Sequence, residues 1–515
     1  MDILRHFMAP VPCLFLDAAA SDFAMFLTGC ADLVRSNPLL VQRVESELDA
    51  HGIRKKLLRQ KDERWRDAQQ APLAGIPTSS VCQPMEEVRL LDGRPRTPAS
   101  VVLIFVMVRG YLGGFKHSET SMFLLESKTM AVFFANHGLS MPAWSTLTEL
   151  TNAVSNDTRR GILDAQIRMI QCEAFDDFST LIQDSTAVEG NSMWPTDSRL
   201  VVALLERVQR TGRFLPKFGL PILQSFEAEH VTSKLKELDR QIDLMSGGKN
   251  VAAKRLLRYR KVIRKGRVAF SMYTNELAKI RPTLVSKSIL PSERERADRA
   301  IELLEEDLKR LERVLNNCEA RVERNEKVNA KDKVVSLSDP DVAFIVKGQR
   351  ETVLGYKPQL ARSGGGYITG VMVPRGNVAD SETLIPMYDQ VYARTRVVPD
   401  RTIYDDGYAS AANLAALKAR KVRTISIGGS KGKNLTSRQD WNSDEHVEAR
   451  NDRSAVESLM FTMKHGFDFG EVARRGLEPA TADLLEKVLA YNLERLVRAR
   501  AAQQWRQERD ARLSA

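Results

Sequence analysis

The amino-acid sequence predicts an α/β core with a helical N-terminal domain and a long helical-hairpin insertion. Three observations predict it. Helical periodicity dominates residues 1–165, a highly charged and heptad-patterned stretch fills 226–332, and short strand-like runs lie on both sides of that stretch. The expected divisions are a helical region over 1–165, a first part of the core over 166–225, the insertion over 226–332, a second part of the core over 333–500, and a charged tail over 501–515.

Within the N-terminal region the most apolar run, Val101 to Val108, stops at Arg109. It is far shorter than the ~20 residues a membrane span needs, so it reads as a buried helix. Lys55, Lys56, Arg59, Lys61, Arg64 and Arg66, beside Trp65, form a basic segment that reads either as a DNA-contacting helix or as a solvated face. Helical periodicity runs from Thr97 to Ile170, with breaks at Gly113-Gly114 and Met141-Pro142. Phe178 to Ile182 is a bulky apolar run expected as a buried strand ending at Asp184. After it, Thr196 or Asp197 is a natural N-cap for a helix through Leu200, Leu204 and Val208.

In the insertion, Ile301, Leu304, Leu308, Leu311, Leu315, Cys318 and Val322 alternate in steps of three and four, a heptad seam. Lys254, Arg255, Arg258, Arg260, Lys261, Arg264, Lys265 and Arg267 crowd one earlier segment, with Leu256, Leu257, Val262 and Ile263 spaced among them. The two segments are expected to pair as an antiparallel hairpin with Pro282 and Pro291 near its turn. The basic face is read as phosphate contact in preference to plain solvated surface. Beyond Lys333, strands are expected at Ala343–Val346, Thr352–Leu360 and Tyr367–Val373, the last two joined by Gly364-Gly365-Gly366. Further strands are expected at Thr402–Tyr404 and Val422–Ile427, with helices at Glu382–Arg394, Ala411–Arg420, Ser454–Lys464 and Ala482–Arg500 and a fraying tail.

Composition narrows function. Hydrophobic residues at 43% and charged residues at 28% are ordinary for a globular protein, but the net charge of +11 favours a polyanionic partner, because a basic protein gains affinity for nucleic acid by releasing condensed counterions. The five cysteines are odd in number and never in CxxC spacing, which argues against a disulfide framework or a zinc site and for a reducing cytoplasm. Gly428-Gly-Ser-Lys-Gly-Lys-Asn434 has the wrong spacing for a phosphate loop, so no nucleotide cofactor is expected; it reads as a mobile basic loop or a plain turn.

Three carboxylates carry the chemistry. Asp184 ends the apolar run Phe-Ser-Thr-Leu-Ile-Gln-Asp, Asp405 ends Arg-Thr-Ile-Tyr-Asp, and Glu457 lies on a late helix, turned away from solvent if Val456, Met460 and Met463 pack inward. A carboxylate at a strand end needs a cation, a donor or water. Two such strand ends and one helix suit a pair of Mg²⁺ ions (Mn²⁺ as an alternative) about 3.5–4 Å apart, the arrangement that serves in-line displacement at phosphorus.

The wording around these residues resembles a known family. Asp184-Ser-Thr-Ala-Val-Glu-Gly-Asn-Ser-Met-Trp-Pro-Thr-Asp-Ser-Arg-Leu200 resembles the first-aspartate block of bacterial insertion-sequence DDE transposases, and Asp405-Asp-Gly-Tyr-Ala-Ser410 with Asn413 resembles the second. Arg453, Glu457 and Lys464 match the family's Arg-x3-Glu-x6-Lys helix, although Arg450 stands where the family usually has Tyr. Gly355-Tyr-Lys357, Gly376-Asn-Val-Ala-Asp380 and Asn492 resemble further family elements, and the stretch from Gly93-Arg-Pro95 to Ser145-Thr-Leu147 looks like the helical domain that precedes such cores.

The resemblance implies an RNase H-like mixed sheet flanked by helices, with both aspartates on adjacent central strands. It implies a DNA transposase in which Asp184, Asp405 and Glu457 are catalytic and hold two metal ions. Arg453 and Lys464, with Lys254, Arg255, Arg258, Lys261, Arg264 and Lys265 of the basic face, are the expected DNA contacts. Expected partners are double-stranded DNA, both terminal inverted repeats and target, and further copies of the chain in a homodimer or larger assembly; no membrane is expected, and the setting is the cytoplasmic nucleoid. The alternatives are an RNase H-like nuclease without strand transfer and an inactive DNA-binding structural or regulatory protein.

Overall fold

The computed structural model describes residues 18–70, 97–113, 127–136, 142–192, 196–223, 226–245, 250–328, 334–346 and 352–514. These fall into two compact units, one drawn from 1–51, 93–191 and 341–515, the other from 52–92 and 192–340.

The first unit begins with helices α1 (Ala18–Ser36), α2 (Pro38–Gln70, whose later residues group with the second unit), α3 (Ala99–Tyr111), α4 (Lys128–Asn136), α5 (Trp144–Ala153) and α6 (Asn156–Cys172). The expected apolar helix is α3, buried from Ala99 to Gly110. The basic segment from Lys55 to Arg66 lies within α2; residues 71–96 fall outside the described residues, as do Gly114 and Met141. Strands β1 (Thr180–Ser185) and β2 (Val188–Glu189) follow. Pro195 of the Pro-Thr-Asp-Ser turn also lies outside the described residues.

In the second unit α7 (Asp197–Gly212) is capped by Thr196, whose hydroxyl accepts from the Arg199 N–H. Then come α8 (Phe226–Asp243), α9 (Val251–Ser286) and α10 (Pro291–Val322), with Pro291 in the first helical turn, where its missing N–H costs nothing. The expected two-helix hairpin is part of a larger bundle. α9 and α10 do pack together, but α10 also packs on α7, α7 on α8 and α8 on α9, closing a ring of four helices. The reason is apolar demand: the heptad seam of α10 shares one core with Leu200, Leu204 and Val208 of α7 and Leu235 and Ile242 of α8. Helix α7, grouped in the sequence with the core, therefore belongs with the insertion. Pro282 lies in the last turns of α9, near the connection to α10 as expected.

The chain returns to the first unit with β3 (Ala343–Ile345), β4 (Val353–Tyr356), β5 (Gln359–Ser363), β6 (Ile368–Met372), α11 (Asp380–Thr395), β7 (Arg401–Tyr404), α12 (Ala411–Ala419) and β8 (Thr424–Ile427). Helices α13 (Gly429–Leu435), α14 (Arg438–Trp441), α15 (Asp444–Asp452), α16 (Ser454–Gly466) and α17 (Leu477–Ser514) complete it. The single strand expected over 352–360 is two. Pro358 has no N–H for a ladder, and the chain changes sheets there: β4 pairs with β2 and β3, whereas β5 joins the main sheet. Gly355 is required at this crossing, because a Cβ there would lie 1.9 Å from the Val188 carbonyl oxygen. The expected fraying tail is also corrected. Residues 501–513 are exposed but continue α17, in a stretch of Ala, Gln, Arg and Glu with no helix breaker.

The main sheet is mixed and five-stranded, in the order β6-β5-β1-β7-β8. β5 is antiparallel to both β1 and β6; β7 is parallel to both β1 and β8. The predicted α/β class is thus found, and the mixed sheet is compatible with an RNase H-like core. The edge strand β6 is closed by α17. The buried Asn492 amide accepts from the Ile368 N–H and donates to the Ile368 carbonyl, each at 2.8 Å, as a neighbouring strand would. Helix α17 also packs on α1, α3 and α6, which is why these helices form one unit with the sheet instead of a separate N-terminal domain. The contact with α3 is close enough that a Cβ on Gly110 would lie 1.9 Å from the Glu486 carbonyl oxygen. Beside it Arg109 and Arg159 both pair with the buried Glu486, and Arg109 also with Asp483.

Candidate active site

The parallel pairing of β1 with β7 sets Thr180 beside Arg401, Leu181 beside Thr402 and Ile182 beside Ile403. Continued by two residues, the same register brings Asp184 level with Asp405. Neighbouring strands run ~4.8 Å apart, and residues level in a parallel pair share a sheet face. The two aspartates, 221 positions apart in the chain, thus stand together at the carboxyl ends of the central strands, where open α/β sheets commonly place their sites.

Local turns hold each carboxylate. An Asp184 oxygen accepts from the Ser185 N–H at 2.6 Å. Asp405 is the last extended residue before a short 3₁₀ turn, and its Oδ1 accepts from the Gly407 N–H at 2.8 Å. Asp406, beside it, is engaged elsewhere. Its Oδ1 takes the N–H groups of Lys431 and Gly432 at 2.7 and 3.2 Å, anchoring the first turn of α13. The Gly428–Asn434 segment is accordingly mostly helix, not the turn or mobile loop that its glycines suggest.

Beneath these aspartates lies a polar network: Lys357, Asp380, Tyr408 and Asn413 were noted in the sequence only by resemblance, and Gln359 was missed. Lys357 and Gln359 both reach Asp380 Oδ1, at 2.9 and 2.8 Å, and the Tyr408 hydroxyl donates to the Gln359 side-chain oxygen. Asn413 ties the Ser381 and Tyr408 carbonyls together at 2.7 and 3.2 Å, an internal role for a residue first noted only by resemblance. Burial pushes the Tyr408 phenol well above its ordinary value, and the negative charges of Asp380, Asp184 and Asp405 add to the rise, in that order. All three carboxylates therefore act on one buried hydroxyl. The available signal was the polar Lys-Pro-Gln interruption between two strands, which is hard to reconcile with an uninterrupted apolar strand.

Glu457 is placed differently. Val456, Met460 and Met463 of α16 are buried as expected, but Glu457 is 62% exposed, on the outer face of the helix. The expectation that it turns from solvent is corrected: consecutive residues on a helix point ~100° apart, so burying Val456 turns its neighbour outward. Its Oε1 meets the Arg453 guanidinium at 3.0 Å. Both line a cavity of about 410 Å³ at the ends of β7 and β8, with Tyr404, Ser426, Gly428 and Arg450 on its walls. Tyr404 directly precedes Asp405, so the cavity adjoins the aspartates. Lys464, farther along α16, donates to the Ala187 carbonyl at 3.3 Å and pins the helix just beyond β1. Arg450, at the departure from the family pattern, donates to the Trp441 carbonyl and stacks on the Trp441 ring.

The hard oxygen donors of Asp184 and Asp405, side by side at strand ends, fit a divalent ion such as Mg²⁺. Glu457 is not gathered with them. Among the described residues no three His, Cys, Asp or Glu side chains are grouped closely enough to hold a metal ion.

In the second unit, the basic face of α9 divides in two. Arg258 donates to Gln241, Arg255 to the Met245 carbonyl, and Arg267 pairs with Glu319. Lys254, Arg260, Lys261 and Arg264 are exposed, and with the half-buried Lys265 they have no acidic partner among the described residues. Val262 and Ile263 are buried as the periodicity predicts, but Leu256 and Leu257 are exposed. Among the described residues no helix is long and apolar enough to cross a membrane.

Residues 341–493 match the family model of the transposase DDE domain. The match includes Asp405, Arg453, Glu457 and Lys464, and begins after Asp184. No curated protein and no solved structure matches the chain.

Proposed function

We propose, for a chain that carries a transposase DDE domain and stands with the DDE transposases of insertion-sequence type, that it cuts the ends of an insertion sequence and joins them to target DNA by two-metal phosphodiester chemistry. The observation that carries this reading is the register that levels Asp184 with Asp405 on adjacent parallel strands. The strand order β6-β5-β1-β7-β8, antiparallel on one side of β1 and parallel on the other, supports an RNase H-like core.

Asp184 and Asp405 would hold Mg²⁺ (or Mn²⁺), with Glu457 completing the set once α16 and the DNA close on the strand ends. When bound, two such ions supply an activated water or 3′-hydroxyl and stabilise the leaving oxygen. The chain's own residues prepare for this. The N–H groups of Ser185 and Gly407 orient the two carboxylates before any ligand arrives, so that little reorganisation is left for the reaction. The Arg453–Glu457 pair is exposed and weak, worth about 0–1 kcal/mol, so a DNA phosphate can take Arg453 and leave Glu457 to the metal site at small cost. Lys464 holds α16 against the end of β1 and adds positive charge there. On the second unit, the cations of α9 without acidic partners are the phosphate-binding face, giving affinity without sequence choice. The N-terminal helices are the further DNA-binding region. Recognition of two ends requires two copies or more on DNA, and such a protein acts in the cytoplasm at the nucleoid.

The test is a duplex with a labelled 3′-hydroxyl end incubated with supercoiled plasmid and Mg²⁺. Joined product that disappears in Asp184→Asn, Asp405→Asn and Glu457→Gln, with duplex binding retained, is expected. Cleavage without joining would make the protein a nuclease; neither reaction, with no Mn²⁺ uptake on DNA, would overturn the enzyme reading.

A further inference from the structure

Asp380, the first residue of α11, is a third carboxylate near these strand ends, and its two oxygens have different surroundings. Oδ1 faces inward and takes both Lys357 and Gln359. Oδ2 faces the turn after β7: a Cβ built on Gly407 would lie 3.1 Å from it and 3.1 Å from Asp405 Oδ1. Twice that distance at most separates the two oxygens, one from each carboxylate. Lys357 is itself largely buried, and its ammonium also donates to the Val378 carbonyl at 3.2 Å. A buried cation that reaches one carboxylate oxygen and leaves the other facing Asp405 does more than close an ion pair, because it sets the net charge felt at Asp405.

We propose that Lys357 and Asp380 form a charge-setting and positioning pair behind Asp405. Asp380 strengthens the local negative field that draws a divalent ion, and Lys357 is its internal counter-ion, offsetting part of that charge from behind. Gln359 and Tyr408 fix the geometry of the pair, and Gly407 leaves room for both oxygens to approach. The inference rests on the proposed metal-dependent reading of Asp184 and Asp405. It adds two residues that act through Asp405 without themselves carrying out the reaction.

The opposite charges of the pair give it a test that a merely structural role fails. Mn²⁺ binding is measured by calorimetry on the full chain with duplex DNA present, alongside thermal unfolding. A unit charge ~6 Å from a divalent ion, in a dielectric close to that of water, is worth about tenfold in affinity. Asp380→Asn, which keeps an oxygen for Lys357 and Gln359, is expected to weaken Mn²⁺ binding by about tenfold. Lys357→Met is expected to tighten it by a similar factor, and the double variant, which removes both charges, to return close to wild type. Both single variants weakening binding alike, as a loosened fold would, or both staying within about twofold of wild type, would overturn the pair's role. If Lys357→Met does not fold, the contrast between Asp380→Asn and the charge-retaining Asp380→Glu decides: equal affinities reject the role, and loss only in Asp380→Asn upholds it. Wild-type protein that takes up no Mn²⁺ would overturn this inference together with the reading beneath it. Wild-type uptake that Asp405→Asn abolishes, but that neither charge change moves, would overturn this inference alone.

Discussion

Removing the Asn492 side chain should open the edge of the five-stranded sheet. Asn492 is fully buried on α17, and its amide satisfies both backbone groups of Ile368 in β6, at 2.8 Å each. Asn492→Ala leaves a buried N–H and a buried C=O without partners. Each orphaned group costs about 1–3 kcal/mol, so the expected loss is about 2–6 kcal/mol, before any term for the cavity. Asn492→Asp is a sharper probe, because it keeps the acceptor for the Ile368 N–H but sets a carboxylate oxygen against the Ile368 carbonyl. It should cost at least as much as alanine at neutral pH. With two compact units in the chain, a single global transition is an unsafe measure. Hydrogen exchange read by mass spectrometry over 359–372, together with urea denaturation, isolates the sheet edge. Loss of protection there, with residues 251–322 unaffected, is expected. A change below about 1 kcal/mol in both variants, with unchanged exchange over 368–372, would refute the idea that this amide substitutes for a sixth strand.

Other consequences are equally open to measurement. Asp184→Asn, Asp405→Asn and Glu457→Gln should each lower strand cleavage by at least about a hundredfold, the scale of losing a group that acts on the transition state, while gel-shift affinity for duplex changes little. Neutralising Lys254, Lys261, Arg264 and Lys265 together should flatten the slope of log affinity against log salt by about 3–4, or 0.9 per phosphate contact; an unchanged slope would return α9 to plain surface. Gly355→Ala should destabilise the first unit by more than about 2 kcal/mol on thermal unfolding, since its Cβ meets backbone at 1.9 Å and no flexible side chain can yield. Burial of Glu486 raises its pKa, but Arg109 and Arg159 outweigh that and hold it below the ordinary 4.5. A depressed folded value means that its stabilisation is present above 4.5 and is lost as pH falls through the folded value. Arg109→Met should therefore move the acid-unfolding midpoint to higher pH, and an unmoved midpoint would show that this network does not govern acid stability.

Much of the architecture was legible from periodicity. The buried apolar helix at Val101–Val108, the heptad seam of α10, and the order β6, α11, β7, α12, β8 all follow from side chains meeting water or core at fixed spacing. The family was legible through wording more than pattern: the blocks around Asp405 and Glu457 that resemble DDE transposases lie within the domain that the family comparison finds over 341–493, and the Asp184 block lies before it. Where the reading failed, a partner distant in the chain decided the outcome. Thr352–Leu360 reads as one strand from its β-branched and aromatic residues, yet Pro358 and the approach of Val188 to Gly355 divide it between two sheets. Helix α7 carries an apolar face that fits either neighbour, and α8 and α10 supply the complementary one.

The sequence by itself determined which residues are apolar and at what period, that a helix begins at Thr196 or Asp197, and that acidic residues end the strand-like runs. These are local properties, set by propensity, capping and the alternation of side chains along the backbone. Only the tertiary structure decided that Asp184 stands level with Asp405, that Asp380 leans on the same turn with Lys357 behind it, and that Glu457 faces solvent beside Arg453. The physical reason is that strand register and helix rotation are fixed by packing across hundreds of residues of intervening chain, a quantity no local window contains.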